Sequence, residues 1–342
     1  MTHPAHGHGL MVYNSILALL SVLNPTTICP QVDYPGKEVG LVTDSSVDEA
    51  SGLAASQINH DVFWTLNDSD GPSCVYALAI NGTLLYTLCL EGALNFDWEA
   101  VSTAPCDSKY VILNSNVFYI PAQLMVSRIT NTDFRILMNF FNCRDSDVFC
   151  IFIGDIGDNS HKRDVINVFR VLEPHIDSKT TKKEETNSWQ VFNFRYGGKK
   201  VFNAESMLID PDTRELVIVT KSPIPPYAYV FKTALDIEPN TVGILEDTGI
   251  KLMLPDATDA AISTDGQVII VRLYFGAFLW PRRPRHSSKS SIVDILREEE
   301  CIVSVGIQQQ GESVALNDLG TSYFTHSEHV NQSIWQYDIL SY

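Results

Sequence analysis

The chain has 342 residues, with 24 basic and 41 acidic side chains, a formal charge of −17 and an apolar fraction of 45%. This composition is typical of a globular protein and excludes a disordered, collagen-like or coiled-coil chain. The excess of acid disfavours nucleic acid or an anionic membrane surface as a partner, because both require a basic face, whereas it suits a cation as ligand.

The first predicted element is a short apolar run near the start of the chain, formed by residues 10–13 and 16–23. The run is too short to span a bilayer, which takes about 20 residues. We interpret residues 1–28 as a signal peptide and expect a secreted protein with no membrane span. Three N-glycosylation sequons, typical of a secreted glycoprotein, begin at Asn67, Asn81 and Asn331.

After residue 40 the chain consists of short segments rich in Val, Ile, Tyr and Phe, separated by turn residues, with no long helical period. The Asn81-Gly82 pair between two of these segments predicts a type I′ hairpin. The predicted strands, in chain order, include VFWTL, CVYALAI, TLLYTLCL, CIFIG, INVFRV, WQVFNFRY, ELVIVT, YVFKT, QVIIVRLYF, CIVSVGI, SYFTH and SIWQYDI.

An acidic residue followed by a strand of small residues recurs along the chain. The recurring acids are Glu49, Glu99, Glu205, Asp259 and Glu312, at intervals of 50, 106, 54 and 53 residues. Intervals of this size are typical of propeller blades, whose repeats are about 40–50 residues long. Most of the long second interval is an extra segment, residues 107–149, which is either a genuine insertion or translated non-coding sequence.

This repeat predicts an all-β fold, a five-bladed β-propeller formed as a single domain by residues 35–342. The last blade lacks a strand at its end, and the segment KEVGLVT from Lys37 is expected to supply it and close the ring. Closure removes exposed sheet edges. A pair of β-sandwiches would not explain the recurring acid.

The first strand of a propeller blade lines the central channel, so the five acids are expected to form a ring at one end of it. Like charges in a narrow space repel one another, and burial increases the cost. A bound Ca²⁺ would resolve this conflict, since it accepts many oxygen ligands in flexible geometry. Asp97, Asn203 and Asp256 lie just before three of the acids and would add oxygens. Alternatively, the acids accept hydrogen bonds from backbone N–H groups and staple the blades together.

The second strand of each blade returns to the same face of the ring. Residues at the ends of these strands are therefore candidate catalytic groups: Asp158, Lys221, Arg272 and His326. A cation with Lys and Arg is suited to hold phosphate or carboxylate oxygens, and Asp and His are suited to act as general bases. Alternatively, the four are solvated turn residues.

Long strings of the sequence resemble a poorly characterised family of secreted β-propeller proteins of bacteria and invertebrates. These strings run from Glu49 to Glu328 and include EASGLAAS, FWTLNDSDGPSCVYAL, GALNFDWEA, CIFIGDIGDN, NAESMLIDP and QGESVAL. The resemblance implies a secreted propeller, but the family carries no settled activity.

More distantly, the blade openings resemble those of the five-bladed calcium-activated apyrases. In that family the opening acids hold a central calcium and nucleoside diphosphates are hydrolysed. The resemblance rests on Glu49-Ala-Ser, Glu99-Ala-Val, Glu205-Ser-Met and Glu312-Ser-Val. The strings that surround the apyrase nucleotide site are not evident in this sequence.

The sequence therefore leaves two functions open. One is a metal-dependent hydrolase that acts on a small anionic ester, such as a phosphoester, at the channel mouth. The other is a non-catalytic extracellular binding or scaffold module with structural calcium. Convergence of Lys221, Arg272 and His326 on one spot near the acid ring would favour the hydrolase. We expect a monomer whose partner is a small anionic ligand or an extracellular protein.

Two disulfides are predicted. Cys106 and Cys150 bracket the extra segment and are expected to be bridged in a secreted protein. Cys74 and Cys89 lie opposite each other across the predicted hairpin, in a register that predicts a hydrogen-bonded pair with Cα atoms about 5.5 Å apart.

Overall fold

The computed structural model describes residues 29–69, 71–106, 110–113, 116–119, 148–177, 181–222, 226–235, 237, 241–282, 290–306 and 308–341. The described residues are β-strands and connections, with one short α-helix, α1 (Ile292–Ile295), and one 3₁₀ turn, Gly197–Lys199. The predicted all-β class is confirmed. The predicted signal peptide lies outside the described residues, as does most of the extra segment, in which Tyr110–Leu113 pairs with Asn116–Tyr119.

The strands alternate with short turns along the whole described chain. In chain order they are β1 (Gln31–Val32), β2 (Lys37–Val42), β3 (Ala50–Ala55), β4 (Val62–Asn67), β5 (Cys74–Ala79), β6 (Leu84–Leu90), β7 (Trp98–Pro105), β8 (Tyr110–Leu113), β9 (Asn116–Tyr119), β10 (Phe149–Asp155), β11 (Ile166–Leu172), β12 (Lys182–Thr186), β13 (Trp189–Tyr196), β14 (Ala204–Ile209), β15 (Glu215–Thr220), β16 (Ala228–Ala234), β17 (Val242–Leu252), β18 (Ala257–Ile262), β19 (Val268–Leu273), β20 (Gly276–Pro281), β21 (Cys301–Val303), β22 (Gly311–Leu316), β23 (Ser322–Ser327) and β24 (Gln332–Ser341).

Antiparallel pairing sorts most of these strands into groups that follow the chain. Group 1 is β3 to β6, group 2 is β7, β10, β11 and β13, group 3 is β14 to β17, group 4 is β18 to β21, and group 5 is β22 to β24 with β2. The first strands contact one another in the cyclic order β3, β7, β14, β18, β22 and back to β3. The groups therefore surround a central axis, as the blades of a β-propeller do.

The outer strands depart from the predicted set of separate blades. β17 is 11 residues long, so it pairs antiparallel with β16 and also, through Val242–Leu245, parallel with β13 of group 2. This contact joins groups 2 and 3 into one eight-stranded sheet. β12 adds to group 1 in a similar way, parallel to β6. Neither β17 nor β20 is among the predicted strands.

The N-terminal segment closes the circle of groups. β2 pairs antiparallel with β24, which confirms the pairing predicted for the segment from Lys37. β1 pairs with the far end of the same strand. A disulfide between Cys29 and Cys301, which the sequence analysis did not predict, ties this segment to group 4.

Apolar side chains fill each interface between neighbouring groups, because every group buries residues on both of its faces. One pair represents each interface in turn: Trp64 and Trp98, Phe152 and Phe231, Val217 and Trp280, Leu279 and Tyr323, and Phe63 and Phe324. Each side chain of this size contributes about 1.5–3 kcal/mol when it is fully buried. The packing holds the first strands close together around the axis.

Both predicted disulfides are present. Cys106 and Cys150 are bridged, with Cα atoms 5.2 Å apart, and Cys74 and Cys89 are bridged in the predicted register. The predicted Cα separation for the second pair was wrong, since the observed distance is 3.9 Å. An irregularity between Ala77 and Leu78 shifts the pairing near the turn. It changes which sites form hydrogen-bonded pairs, and the cysteines take a closer, non-hydrogen-bonded site.

The three sequons differ in exposure. Asn67 is buried, and its amide nitrogen donates to the Ser46 carbonyl at 2.9 Å and to Asp48 Oδ1 at 3.1 Å. Asn81 and Asn331 are exposed. Glycosylation therefore stays a prediction for the two exposed sites.

Candidate metal centre

The first strand of each group carries a β-bulge near its start. The unpaired residue of the bulge is Glu99 in β7, Glu205 in β14, Thr258 in β18 and Glu312 in β22. In β3 the irregularity comes one residue later, at Gly52. Ser51 takes the equivalent position because it directly follows the first paired residue, Ala50, as the bulged residues do in the other first strands. A bulge bends the strand and redirects the side chain of the extra residue. We call Ser51, Glu99, Glu205, Thr258 and Glu312 the ring tier.

The ring tier differs from the ring predicted from the sequence at two positions. In group 4 the bulged residue is Thr258, and the predicted Asp259 follows it. In group 1 Ser51 takes the place, and the predicted Glu49 lies two residues earlier and is exposed. Matching the acids to one another along the sequence does not reveal where the bulge lies. A bulge changes which residue takes the ring position, and this change leaves no trace in the residue types.

Three carboxylates of the ring tier converge. Glu99, Glu205 and Glu312 are buried, and one oxygen of each lies within 4.8 Å of the others. Burial, followed by the neighbouring carboxylates, raises the pKa of Glu99 well above its usual range. Burial likewise raises the pKa of Glu312. Ser51 Oγ donates to Glu99 Oε2 at 3.2 Å, which places this hydroxyl at the edge of the cluster.

Lys221 inserts its ammonium group into this cluster. Nζ donates to both carboxylate oxygens of Glu205, at 2.6 and 2.5 Å, and to Tyr274 Oη at 2.8 Å. Burial lowers the pKa of Lys221, but Glu205 and other nearby acidic groups raise it by more, so the amine stays charged. With all three carboxylates ionised, the cluster would carry two negative charges more than the Lys221 ammonium neutralises. A divalent cation would neutralise this charge.

A second tier stands at the ends of the second strands. The residues that directly follow β4, β10, β15, β19 and β23 are Asp68, Ile156, Lys221, Tyr274 and Glu328. Burial and then the Glu312 carboxylate raise the pKa of Glu328 to about 7. Asp68, Asp97 and Glu99 form a second acidic group, with one oxygen of each within 4.8 Å of the others. Burial and then Asp68 raise the pKa of Asp97 to about 6.

An outer tier lies two residues before the ring tier. It comprises Glu49, Asp97, Asn203, Asp256 and Gln310. Glu49 is therefore the counterpart of Asp97 and not of Glu99. Asp256 is half-buried, and burial raises its pKa. This tier contains the three additional oxygen donors that the sequence predicted next to the acids.

Asp259 has a different set of partners from the three glutamates. It is fully buried, and its carboxylate accepts hydrogen bonds from the backbone N–H groups of Leu53 at 3.0 Å, Val314 at 2.8 Å and Ala260 at 2.8 Å. These donors belong to β3, β22 and β18. Asp259 therefore ties three channel-lining strands together. This is the backbone-binding role that the sequence left open as the alternative to cation binding.

Asp158 lies in the GDIGDN loop that follows β10. Its carboxylate oxygens accept hydrogen bonds from the N–H groups of Lys162 at 2.9 Å and Arg163 at 2.8 Å, so they hold the loop closed. The glycine before it brings the loop against the cluster. A Cβ atom on Gly157 would lie 2.5 Å from an Asp97 oxygen and 2.7 Å from Glu99 Oε1, so a larger residue would displace these two carboxylates.

Arg272, in β19 of group 4, and His326, in β23 of group 5, are fully buried. Arg272 Nη2 donates to Gln308 Oε1 at 2.7 Å, and burial lowers the pKa of Arg272 to about 10. Burial and then the Arg272 charge lower the pKa of His326 to about 4, so the imidazole is neutral at physiological pH. Of the three basic residues predicted to converge, Lys221 contacts the carboxylates.

Sequence reasoning missed several members of the site. Ser51 and Thr258 were not considered because they are not acidic. Asp68, Tyr274 and Glu328 also stand at the ends of second strands, but Arg272 and His326 were predicted at two of these ends and no residue was predicted at the end that holds Asp68. Counting one residue beyond each second strand would have identified all three.

Comparisons with known proteins add little beyond this geometry. No family profile matches the sequence. No curated protein matches it either. Among solved structures, the fold is similar to a gluconolactonase from Xanthomonas campestris, with a TM-score of 0.40, 10% identity and coverage of 92% of this chain and 96% of that one. It is also similar to a chain of a nidogen–laminin complex, with a TM-score of 0.37, 11% identity and coverage of 82% and 73%. Likenesses this distant carry no argument about activity.

In the described part of the chain, no helix has the length and apolar character needed to cross a membrane.

Proposed function

We propose that this chain is a secreted, five-bladed β-propeller that holds one Ca²⁺ at the ring tier and hydrolyses a small anionic ester at the channel mouth. The observation that carries the proposal is the convergence of Glu99, Glu205 and Glu312, buried and within 4.8 Å of one another. Buried like charges are costly unless a counter-ion accompanies them. The domain limits, 35–342, and the leader, 1–28, are part of this proposal, and the resemblance to secreted propellers, which runs from Glu49 to Glu328, supports a single propeller within those limits.

The donor set of the ring tier fits a hard cation. Ca²⁺ binds six to eight oxygens and tolerates irregular geometry. Glu99, Glu205 and Glu312 would hold it, with the hydroxyls of Ser51 and Thr258 as further donors. Thr258 Oγ1 is buried and has no hydrogen-bond partner among the described residues. A buried hydroxyl oxygen at a ring position that has no hydrogen-bond partner is suited to bind a cation.

The residues around the mouth suit hydrolysis of an anionic ester. A bound Ca²⁺ supplies electrostatic stabilisation to anionic substrate oxygens. Lys221 would neutralise further charge on a phosphoryl or carboxyl group. Asp97 and Glu328 have pKa values raised to about 6 and about 7, close to those of effective general bases, and would accept a proton from water. Asp158, Arg272 and His326, the other predicted catalytic residues, would hold the residues around the channel mouth in place from inside the fold.

A second candidate function is a non-catalytic extracellular module with structural Ca²⁺. Two observations favour it. Asp259 uses its carboxylate to tie strands together, and Arg272 and His326 are fully buried within the fold. In this case the cation would stabilise the channel, and an extracellular protein or small anion would bind without reaction.

A phosphoester panel, assayed with Ca²⁺ or with chelator, separates the two functions. The hydrolase proposal predicts turnover that requires Ca²⁺ and that falls by about 100-fold or more in Glu328→Gln or Asp97→Asn, the effect expected for removal of a general base. Glu49→Gln, which changes an exposed acid of the outer tier, is the matched control and should keep its activity. Ca²⁺ binding without turnover of any ester would instead support the non-catalytic module.

A further inference from the structure

Lys221 is the counter-ion that the chain itself supplies to the ring tier. Its Nζ atom donates to both carboxylate oxygens of Glu205, at 2.6 and 2.5 Å, and to Tyr274 Oη at 2.8 Å. These contacts engage all three N–H donors of the ammonium group. In this position Lys221 therefore has no donor left for a substrate, although its charge suits an anionic one.

The pair of Lys221 and Glu205 is nearly closed to water. The two side chains are 12% and 4% exposed. Glu205 is also one of the three glutamates that have an oxygen within 4.8 Å of the others, the group proposed to bind Ca²⁺. Lys221 therefore holds a carboxylate that the cation requires.

The Glu205 carboxylate does not serve both cations at full strength. Ca²⁺ lies about 2.3–2.6 Å from its oxygen ligands. Lys221 Nζ stands at a similar distance from both oxygens of Glu205. Two cations on one carboxylate are close neighbours, and their repulsion is strong because a buried site is poorly screened. Binding of Ca²⁺ by Glu205 therefore favours departure of the ammonium.

Tyr274 offers the ammonium a second place. It directly follows β19 in the second tier and is half-buried, whereas Glu205 is 3% exposed, so Tyr274 is the more accessible of the two partners. Lys221 Nζ lies 4.7 Å from the centre of the Tyr274 ring, which is within the range of a cation–π contact. Because the lysine stem is flexible, the ammonium can leave Glu205 and keep its contact with Tyr274 without a change of the backbone.

We propose that Lys221 yields Glu205 to Ca²⁺ and turns its ammonium to the channel mouth, where it stays on Tyr274 and binds the anionic substrate. This inference rests on the proposed function and adds an order of binding to it. The donors of Lys221 become free for substrate oxygens only after the cation has replaced the ammonium at Glu205. The chain would therefore bind an anionic ester weakly until Ca²⁺ is present.

Calorimetric titration of Ca²⁺ into the chelator-treated full chain tests the competition. Lys221→Met removes the competitor and should lower the Kd for Ca²⁺ by about tenfold or more. Lys232→Met is the matched control, because Lys232 Nζ donates to Glu215 at 2.7 Å at the opposite end of β15, and it should bind Ca²⁺ as the parent does. Equal Kd values in the parent and in Lys221→Met would overturn the exchange and leave the cation centre in place, whereas no Ca²⁺ binding by either would overturn both.

Removal of a positive charge lowers the Kd even if the ammonium never moves, so the movement needs a test of its own. Acetylation of the parent chain by a water-soluble reagent, followed by peptide mass spectrometry, supplies this test and needs no variant. Ca²⁺ should raise the acetylation rate of Lys221 severalfold, because the ammonium leaves Glu205 for a more exposed position, and should leave the rate of Lys232 unchanged. A rate at Lys221 that Ca²⁺ leaves unchanged or lowers would overturn the exchange.

Discussion

Glu205 and Asp259 are both buried carboxylates near the start of a channel-lining strand, yet their surroundings differ. Glu205 lies among other carboxylates and is paired with Lys221, whereas Asp259 accepts three backbone N–H groups from three strands. One residue of register separates the two situations, because Glu205 is the bulged residue and Asp259 follows it. The position relative to the bulge therefore separates the acid that lies among other carboxylates from the acid that binds the backbone.

The largest expected effect comes from removal of the Asp259 carboxylate. Asp259→Ala leaves three buried N–H donors without an acceptor, at about 1–3 kcal/mol for each. Water and local relaxation recover part of this, so we expect the free energy of unfolding to fall by about 4 kcal/mol. Urea unfolding followed by circular dichroism measures the change. A loss below about 1 kcal/mol would mean that the three hydrogen bonds do not hold the strands together.

Removal of the lysine from the cluster should have the next largest effect. Lys221→Met leaves the buried carboxylates without their ammonium partner, and breaking a buried ion pair in this way costs about 3 kcal/mol. We expect this loss in chelator and a smaller loss in saturating Ca²⁺, since the cation would replace part of the missing charge. Unfolding in both conditions tests this, with Lys200→Met, at an exposed surface pair with Asp247, as the control. A loss that is equal in both conditions would contradict a cation at this position.

Ca²⁺ itself should stabilise the folded chain. A ligand that binds only the native state at about 100 times its Kd contributes about 2.7 kcal/mol. We expect this increment in the parent protein and in Asp259→Asn, which alters the staple, but not in Glu312→Gln, which alters the cluster. Thermal unfolding with Ca²⁺ and with chelator measures it. An increment that survives in Glu312→Gln but vanishes in Asp259→Asn would reverse the roles given to the two acids.

The pH dependence should be the smallest effect. The pKa values of Asp97 and Glu328 are raised to about 6 and about 7 by burial first and nearby acids second. A carboxyl whose pKa is raised in the fold contributes stability below its unfolded pKa and loses it as pH rises through the folded value. In chelator, this contribution should therefore decline from about pH 4 to pH 7.

Ca²⁺ binding should show the opposite trend with pH, because the cation requires ionised carboxylates. We expect its affinity to increase by about tenfold or more between pH 5.5 and pH 8, with release of protons on binding. Calorimetry in two buffers of different ionisation enthalpy measures the released protons. A pH-independent affinity would indicate that the ligands are already ionised or are not carboxylates.

The sequence predicted the fold better than it predicted the site. Alternation of strands and turns was enough to predict an all-β chain, the closing strand and two of the disulfides, since these depend on local pattern and register. It did not predict β17, whose 11 residues join two groups, or the bridge from Cys29 to Cys301. Those features depend on which outer strands become neighbours in three dimensions.

Within the site, residue type was sufficient at three positions and misleading at two. Glu99, Glu205 and Glu312 converge, but the positions in groups 1 and 4 are occupied by hydroxyl residues, Ser51 and Thr258. A bulge adds a residue without leaving a mark in the sequence pattern, so neighbouring acids in those groups, Glu49 and Asp259, were predicted in their place. The burial of Arg272 and His326 likewise follows from group packing and not from their place at a strand end.

Direct titration of Ca²⁺ into chelator-treated protein, followed by calorimetry, is the measurement that tests the cation centre most directly. It should be made on the parent chain, on Glu99→Gln and on Glu49→Gln, which the sequence treats as equivalent and the structure places in different tiers. We expect one Ca²⁺ per chain, a Kd raised by about tenfold or more in Glu99→Gln, and an unchanged Kd in Glu49→Gln. No binding by the parent chain, or equal weakening in both variants, would contradict it.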